Sequence, residues 1–388
     1  MSPLPIGLHA LAGFCTGSGM RMLDALLPLL AGDLGISVAA ATGLVAAFVL
    51  PYGLVQLVAG PLGDRFGKPR VATAALGGYG IAMLAAAAAP DLPALIAFRI
   101  ASGLCGGAVI PVLMAHLGDS IAYEERQAAI ARFSTGMVMA MLLGGPGAGV
   151  IADLAGWRVP FLVLALVSLG VCAAMAARLG LAGLTRPPTR GAAGIAGYRA
   201  LLESRSGRRL LGVAFGNGLC LFGGAFPFIG AFLIQDLGRS AAEAGLIVAL
   251  LGLGALAYTR LARRLARRFG ERRLFAAGGA GLACGLAALA AAPGWWFVAA
   301  LQLGLGFAFY LFHGVLQTRA TEALPAARGT AMGGFALALF LGQAAGSLIF
   351  GLVLAAAGYR VAFLLAGLGT LALTLAAWRG FGFASRRA

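Results

Sequence analysis

Runs of about twenty apolar residues, each closed by a charged or Pro/Gly-rich break, follow one another along almost the whole chain. They lie near 6–31, 38–60, 71–89, 92–117, 128–154 and 158–178, and again near 209–235, 241–262, 273–292, 295–319, 328–356 and 360–378. At about 1.5 Å of rise per residue, each run matches the roughly 30 Å hydrocarbon thickness of a bilayer, so each predicts a spanning helix. One long polar stretch, "AGLTRPPTRGAAGIAGYRALLESRSGR", divides the runs six and six. The expected architecture is an all-α integral membrane protein of twelve transmembrane helices in two pseudo-symmetric six-helix bundles, residues 1–180 and 208–388, joined by a cytoplasmic linker over 181–207.

Composition sharpens this picture. Of the 388 residues 61% are hydrophobic and only 11% charged, with a mean hydropathy of +0.93, far from the balance of a water-soluble domain. The first run is too long for a signal-peptide core and has no basic segment before it, so it is expected to remain as a membrane helix. The five cysteines (Cys15, Cys105, Cys172, Cys220 and Cys284) all fall within apolar runs without C-x-x-C spacing. They read as small core residues, and no metal site is expected.

The net charge of +16 would suit a nucleic-acid binder if its bases were gathered on one face, but they are dealt out among short loops. With both termini placed in the cytoplasm, 24 of the 29 Lys and Arg residues lie on the cytoplasmic side, which is the positive-inside pattern. Membrane lipid is therefore the surrounding partner and nucleic acid is not. Trp295 and Trp296 read as an interfacial anchor on the outer side.

The chain also repeats itself. "LGDRFGKPR" from Leu62 aligns with "LARRFGERR" from Leu265 at an offset of 203, as does "DLG" at Asp33 with "DLG" at Asp236, while "GWRVPFL" at Gly156 pairs with "GYRVAFL" at Gly358 at an offset of 202. A parallel repeat of six helices places a cavity between its halves near the bilayer midplane, where rocking of one half exposes it to either side.

The turn Gly60, Leu62, Asp64, Arg65, Gly67, Lys68 and, one place late after Pro69, Arg70 closely resembles the G-x-L-x-D-R-x-G-R-R signature of the major facilitator superfamily. Around it, "LLPLLAGDLGIS" and "YGLVQLVAGPLGDRFG" resemble the first two helices of that superfamily's twelve-helix drug:proton antiporters. The resemblance implies a conformational switch at this turn, carried by Asp64 and Arg65 with Gly60, Gly67, Lys68 and Arg70. A carboxylate there could cap a neighbouring helix and pair with guanidinium groups. In the second half Arg267 stands where Asp64 would be.

A second signature, R-x-x-x-G-x-x-x-G with a later proline, is matched by Arg99, Gly103, Gly107 and Pro111. Glycines every four residues allow close helix approach. Arg99 adds more, because an arginine within a span costs roughly 3 kcal/mol and so faces a partner or a watery cavity. Gly145, Pro146 and Gly149 partly resemble the antiporter signature of helix 5, with Met141 and Val150 where its outer glycines would be; these five helix 4 and helix 5 glycine and proline positions, with Pro111, also serve packing.

Asp24 is the one carboxylate placed well inside a span, and is the candidate site for a transported proton. Two arginines compete for it. Arg21 is one turn away at i,i+3, which would give a static bridge, and Arg99 lies at a matching depth, both roughly 12 to 14 Å from their outer ends. The repeat puts Pro227 and Gln302 at the positions of Asp24 and Arg99 in the second half, so the two halves differ in charge. Tyr52, Asn217, Phe222, Phe226, Gln302, Phe309, Tyr310, His313 and Gln343 supply aromatic and amide groups suited to a small amphipathic ligand.

The chain lacks a phosphate-binding G-x-x-x-x-G-K-[ST] loop, an H-E-x-x-H zinc site and a G-x-S-x-G elbow, so neither an enzyme nor an ATP-driven pump is expected. No cofactor is expected, and the energy source would be a proton gradient. The expected function is a monomeric secondary transporter of the bacterial inner membrane, exporting a small-molecule substrate in exchange for protons. Alternatives are a facilitator or symporter for a nutrient or organic anion, and a transporter-like receptor without net flux.

Overall fold

The computed structural model describes residues 5–121, 123–184, 195–323 and 328–380. Among the described residues the regular elements are all helical. In chain order they are α1 (Ile6–Arg21), α2 (Leu23–Asp33), α3 (Val38–Ala41), α4 (Gly43–Phe66), α5 (Lys68–Ala87), α6 (Leu92–Ser120), α7 (Tyr123–Ala155), α8 (Arg158–Leu184), α9 (Ile195–Glu203) and α10 (Arg205–Asn217). A π-helix (Gly218–Ala225) follows, then α11 (Phe226–Gln235), α12 (Ala241–Ala290), α13 (Trp295–Glu322) and α14 (Arg328–Gly380).

Among the described residues, ten helical stretches are long and apolar enough to cross a membrane. The 48-residue stretch Ala331–Trp378 holds two of the expected spans, because α14 breaks at Gly358. The expected first span is present as α1 and α2, which meet at Met22 with the backbone still helical there (φ −58°, ψ −33°), so that together they make the span. The expected linker is in part helical: α8 runs on past a break at Gly180, and α9 occupies Ile195–Glu203, while 185–194 lie outside the described residues.

Local chemistry sets the boundaries. Asp91 accepts from the Ala94 N–H at 2.8 Å to start α6, and Ser204 accepts from Gly207 at 2.9 Å to start α10. The turns between the second and third spans of each half reverse at Gly67 (φ 93°) and Gly270 (φ 71°), conformations a side chain at Cβ would strain. The pairs Gly35 and Gly238, and Gly156 and Gly358, repeat the same left-handed conformation at the same offsets.

The chain forms two compact units, Met1–Ala193 with Ser240–Gly245, and Gly194–Arg239 with Leu246–Ala388. In the first, α4 and α5 pack on α6, α8 packs on α5, and α1 packs on α7. In the second, α10 and the π-helix pack on α14, which also meets α13. Without a hydrophobic driving force between helices in lipid, these contacts rest on close van der Waals fit. Gly103 illustrates it: a Cβ there would collide with the Phe48 carbonyl, and at the equivalent Gly306 it would collide with that of Leu251.

Candidate functional site

In the first unit, Asp24 sits in the first turn of α2, directly behind its junction with α1 at Met22, and is 6% exposed. Among the described residues it is the one buried carboxylate. Its Oδ2 lies 2.9 Å from Arg21 Nη2, close enough for an ion pair but not aligned as a hydrogen bond. Arg21 is partly exposed, so the pair reaches toward the surface on one side only.

Arg99 is 1% exposed and turns elsewhere. It donates to the Gly19 carbonyl at 3.1 Å and the Leu44 carbonyl at 3.4 Å, and its guanidinium lies 4.2 Å from the centre of the Phe48 ring. Carbonyl oxygens and a ring face thus take the place of a counter-ion. Of the two arginines that could meet Asp24, the structure brings Arg21 to it and directs Arg99 to the backbone. Tyr79 shares this core, donating to the Cys15 carbonyl at 3.1 Å. Tyr52 is buried, its ring 5.5 Å from that of Phe48. Gly107 packs like Gly103, with a Cβ colliding with the Tyr52 carbonyl, and Pro111 lies one turn further within α6.

At the signature turn the backbone of Asp64 ends α4, while its side chain lies outside the described residues. Gly60 is at the helix surface, Arg65 rests over the Phe66 ring, and Arg70 is half-buried in the first turn of α5. Lys68 pairs with Asp119 at the end of α6. Asp119 was not among the sequence candidates, because its partnership spans 51 residues and needs the fold to be seen. The same holds for His116, whose ring stacks on His9 with centroids 5.5 Å apart.

The α7 stripe Gly145, Pro146 and Gly149 faces Ser240–Gly245, which belong to the same unit: a Cβ on Gly149 would strike the Ala241 carbonyl. Asp153, a turn beyond and also not a sequence candidate, accepts from the N–H groups of Ala241 and Ala242 at 3.2 and 2.8 Å. A carboxylate there satisfies orphan donors and complements the helix dipole.

The second unit gathers most of the predicted ligand groups. Phe222 lies 5.3 Å from Phe309 and 5.9 Å from Phe226, edge to face in both cases, and His313 stacks on Phe309 at 4.9 Å. Asn217 Nδ2 is 2.8 Å from His313 Nδ1. Tyr310 packs against Phe309, and Gln343 is buried on α14, where its carbonyl abuts Gly223. Gln302 is fully buried and neither amide atom has a hydrogen-bond partner. The π-helix was not foreseen; its i→i+5 turns leave no hydrophobic period to read.

Comparison with known proteins agrees with this architecture. The profile of the Major Facilitator Superfamily matches residues 10–229 and 210–386. An MFS-type transporter of Bacillus subtilis, YceJ, is 26% identical over 342 residues, 87% of this chain and 86% of its own. A chloramphenicol resistance protein of Streptomyces lividans is 29% identical over 71% of this chain and 70% of its own, and the multidrug export protein EmrB of Haemophilus influenzae is 28% identical over 42% of this chain. Among solved structures, a D-xylose-proton symporter aligns over 97% of both chains with a TM-score of 0.75 at 18% identity, and the nucleoside transporter NupG gives 0.77 at 13%. The repeat, the signature turn and helix 4, and a profile match spanning nearly the whole sequence make this chain a member of the Major Facilitator Superfamily, a multi-pass membrane transporter of small molecules and not an enzyme.

Proposed function

We propose that this transporter exports a small amphipathic compound across the bacterial inner membrane in exchange for protons, by alternating access, with both termini in the cytoplasm. The observation that carries the reading is the burial of Asp24 beside Arg21 midway along the first span. A carboxylate taken out of water is costly unless it serves a purpose, and within a membrane that purpose is by default functional. Protonation removes the charge that holds Arg21 and frees the guanidinium; deprotonation restores the pair. Arg99 tunes the site through the Gly19 carbonyl, three residues before Met22. The signature turn from Gly60 to Arg70 governs switching between the bundles at 1–180 and 208–388. The Streptomyces lividans chloramphenicol resistance protein and the Haemophilus influenzae multidrug export protein, both similar to this chain, support export.

The decisive measurement is proton flux in proteoliposomes with a trapped pH dye, challenged with cationic, neutral and anionic amphiphiles, for wild type and Asp24→Asn. Compound-evoked proton flux that is lost in the variant is expected. Equal flux in both would remove Asp24 as the proton site and leave a static Arg21 bridge. Compound movement without protons would favour a facilitator, and inward co-movement a symporter of the kind named among the structural neighbours.

A further inference from the structure

Helix α12 does not stop where its apolar part stops. Its spanning stretch, Ala241–Tyr258, is about 27 Å long at 1.5 Å per residue, close to the roughly 30 Å of bilayer hydrocarbon. The helix then runs on to the reversal at Gly270 through "RLARRLARRFG". Arg260, Arg264 and Arg268 recur every four residues, so they form one row, and all three are exposed. One residue further round runs a second row, Leu261, Leu265 and Phe269, of which Leu261 and Phe269 are exposed. Guanidinium groups beside apolar side chains suit the boundary between headgroups and hydrocarbon.

The protein does not neutralise this row. Like charges at i,i+4 destabilise a helix, and the one acid between residues 259 and 273 is Glu271, which pairs with Arg319. Among the described residues, Arg260 and Arg264 have no ion-pair or hydrogen-bond partner. Nor does the reversal require them. The first half has Leu57 and Pro61 at the repeat positions of Arg260 and Arg264, and it bends at Gly67 all the same. By helical rise Arg260 and Arg264 lie about 3 and 9 Å past Tyr258, within reach of a headgroup layer roughly 5 to 8 Å deep. Past the reversal, the Arg272 guanidinium lies 4.3 Å from the centre of the Trp378 ring, and tryptophan is a residue of that same interface.

We propose that the Arg260, Arg264 and Arg268 row is a docking surface for the headgroups of anionic phospholipids. A guanidinium donates two parallel N–H bonds to a phosphate, and the exposed Leu261 and Phe269 lie beside it for the upper carbons of the acyl chains. A zwitterionic lipid brings its own ammonium, which the row repels, so the surface selects lipids of net negative charge. A bias of bases toward one side of the membrane acts during insertion and needs no bound lipid, so selective binding to the folded protein is a separate property. The proposal is independent of the direction and coupling of transport.

The test is native mass spectrometry of the purified full chain titrated with phosphatidylglycerol and, separately, with phosphatidylcholine of the same acyl chains. Phosphatidylglycerol is expected to bind at least about tenfold tighter, with Arg260→Gln and Arg264→Gln each weakening it about fivefold. The triple variant that adds Arg268→Gln should bind both lipids alike. Exposed arginines elsewhere are the control: Arg178→Gln combined with Arg205→Gln should leave the preference intact. If the triple variant fails to insert, the single variants, which keep most of the bases that direct topology, decide the matter. Equal binding of the two lipids by the wild type, an intact preference in the row variants, or an equal loss in the control pair would overturn the surface. Displacement of the lipid by millimolar inorganic phosphate would mark a free-anion site and overturn the lipid assignment as well.

Discussion

The opening helices of the two halves differ at one repeat position. In the first half helical backbone runs through Met22 and a carboxylate follows at Asp24; 203 residues later a π-helix ends at Ala225 and Pro227 follows. The partner position on the fourth helix carries a fully buried Arg99 in one half and a bare Gln302 in the other. The backbone plan is shared and the chemistry has diverged: among the described residues the buried carboxylate and the buried guanidinium lie in the first half, and the buried amides in the second.

The comparison can be broken most forcefully by forcing the halves to agree. Gln302→Arg should cost about 3 kcal/mol, because among the described residues of the second half no buried carboxylate is present to offset the incoming charge, and a detergent thermal melt should show a large fall in Tm. An unchanged Tm would mean that carbonyls there receive a guanidinium as readily as those around Arg99. Next come the shared contacts: Gly103→Val and Gly306→Val each drive a side chain into a backbone carbonyl and should lose about 1–3 kcal/mol apiece. A loss in one half alone would show that the repeat's packing is not equivalent.

Smaller effects should follow at the turns. Gly67→Ala and Gly270→Ala place a Cβ on left-handed backbone, at about 1–2 kcal/mol each by the same melt. Acid should then separate Asp33 from its repeat counterpart Asp236. Trp157 and Arg158 hold the Asp33 carboxyl below the usual carboxylate range, at 2.9 and 2.6 Å. A depressed folded-state value gives stability that is present above the unfolded value near 3.9 and lost as pH falls through the lower folded one. Asp236, though exposed as a residue, is partly desolvated at its carboxyl, which is pushed up and only partly offset by Arg360. Its ionised form is therefore disfavoured in the fold, and acidification relieves it. The Tm difference between wild type and Asp33→Asn should shrink on acidification below about pH 4, whereas Asp236→Asn should gain most near neutrality. Matching pH profiles would refute the distinction. Smallest of all are the surface pairs: Lys68→Ala or Glu271→Ala should cost no more than about 1 kcal/mol.

How far the sequence could reach is visible in particular residues. The spans were legible because apolar run length measures the bilayer directly, and the turns because only glycine tolerates their backbone. The π-helix after Asn217 was not, since "GLCLFGGAF" is apolar at nearly every position and shows no period. Depth along a helix could not decide between Arg21 and Arg99 as the neighbour of Asp24, because it says nothing of the direction a long side chain takes. Asp119, Asp153 and His9 owe their partners to topology. The bareness of Gln302 is likewise a property of its surroundings; the repeat could mark the position but not its isolation.

Where the second and third helices of each half join, the ion pairs run in opposite senses: Lys68 answers Asp119 in the first half, and Glu271, its equivalent, answers Arg319 in the second. The halves are therefore no longer interchangeable parts. A chimera carrying residues 60–70 in place of 263–273 would set a lysine against Arg319, and the reciprocal graft would set a glutamate against Asp119. Two copies of one ancestral turn, still bent by the same glycine, have become a lock and key that each fit only their own door.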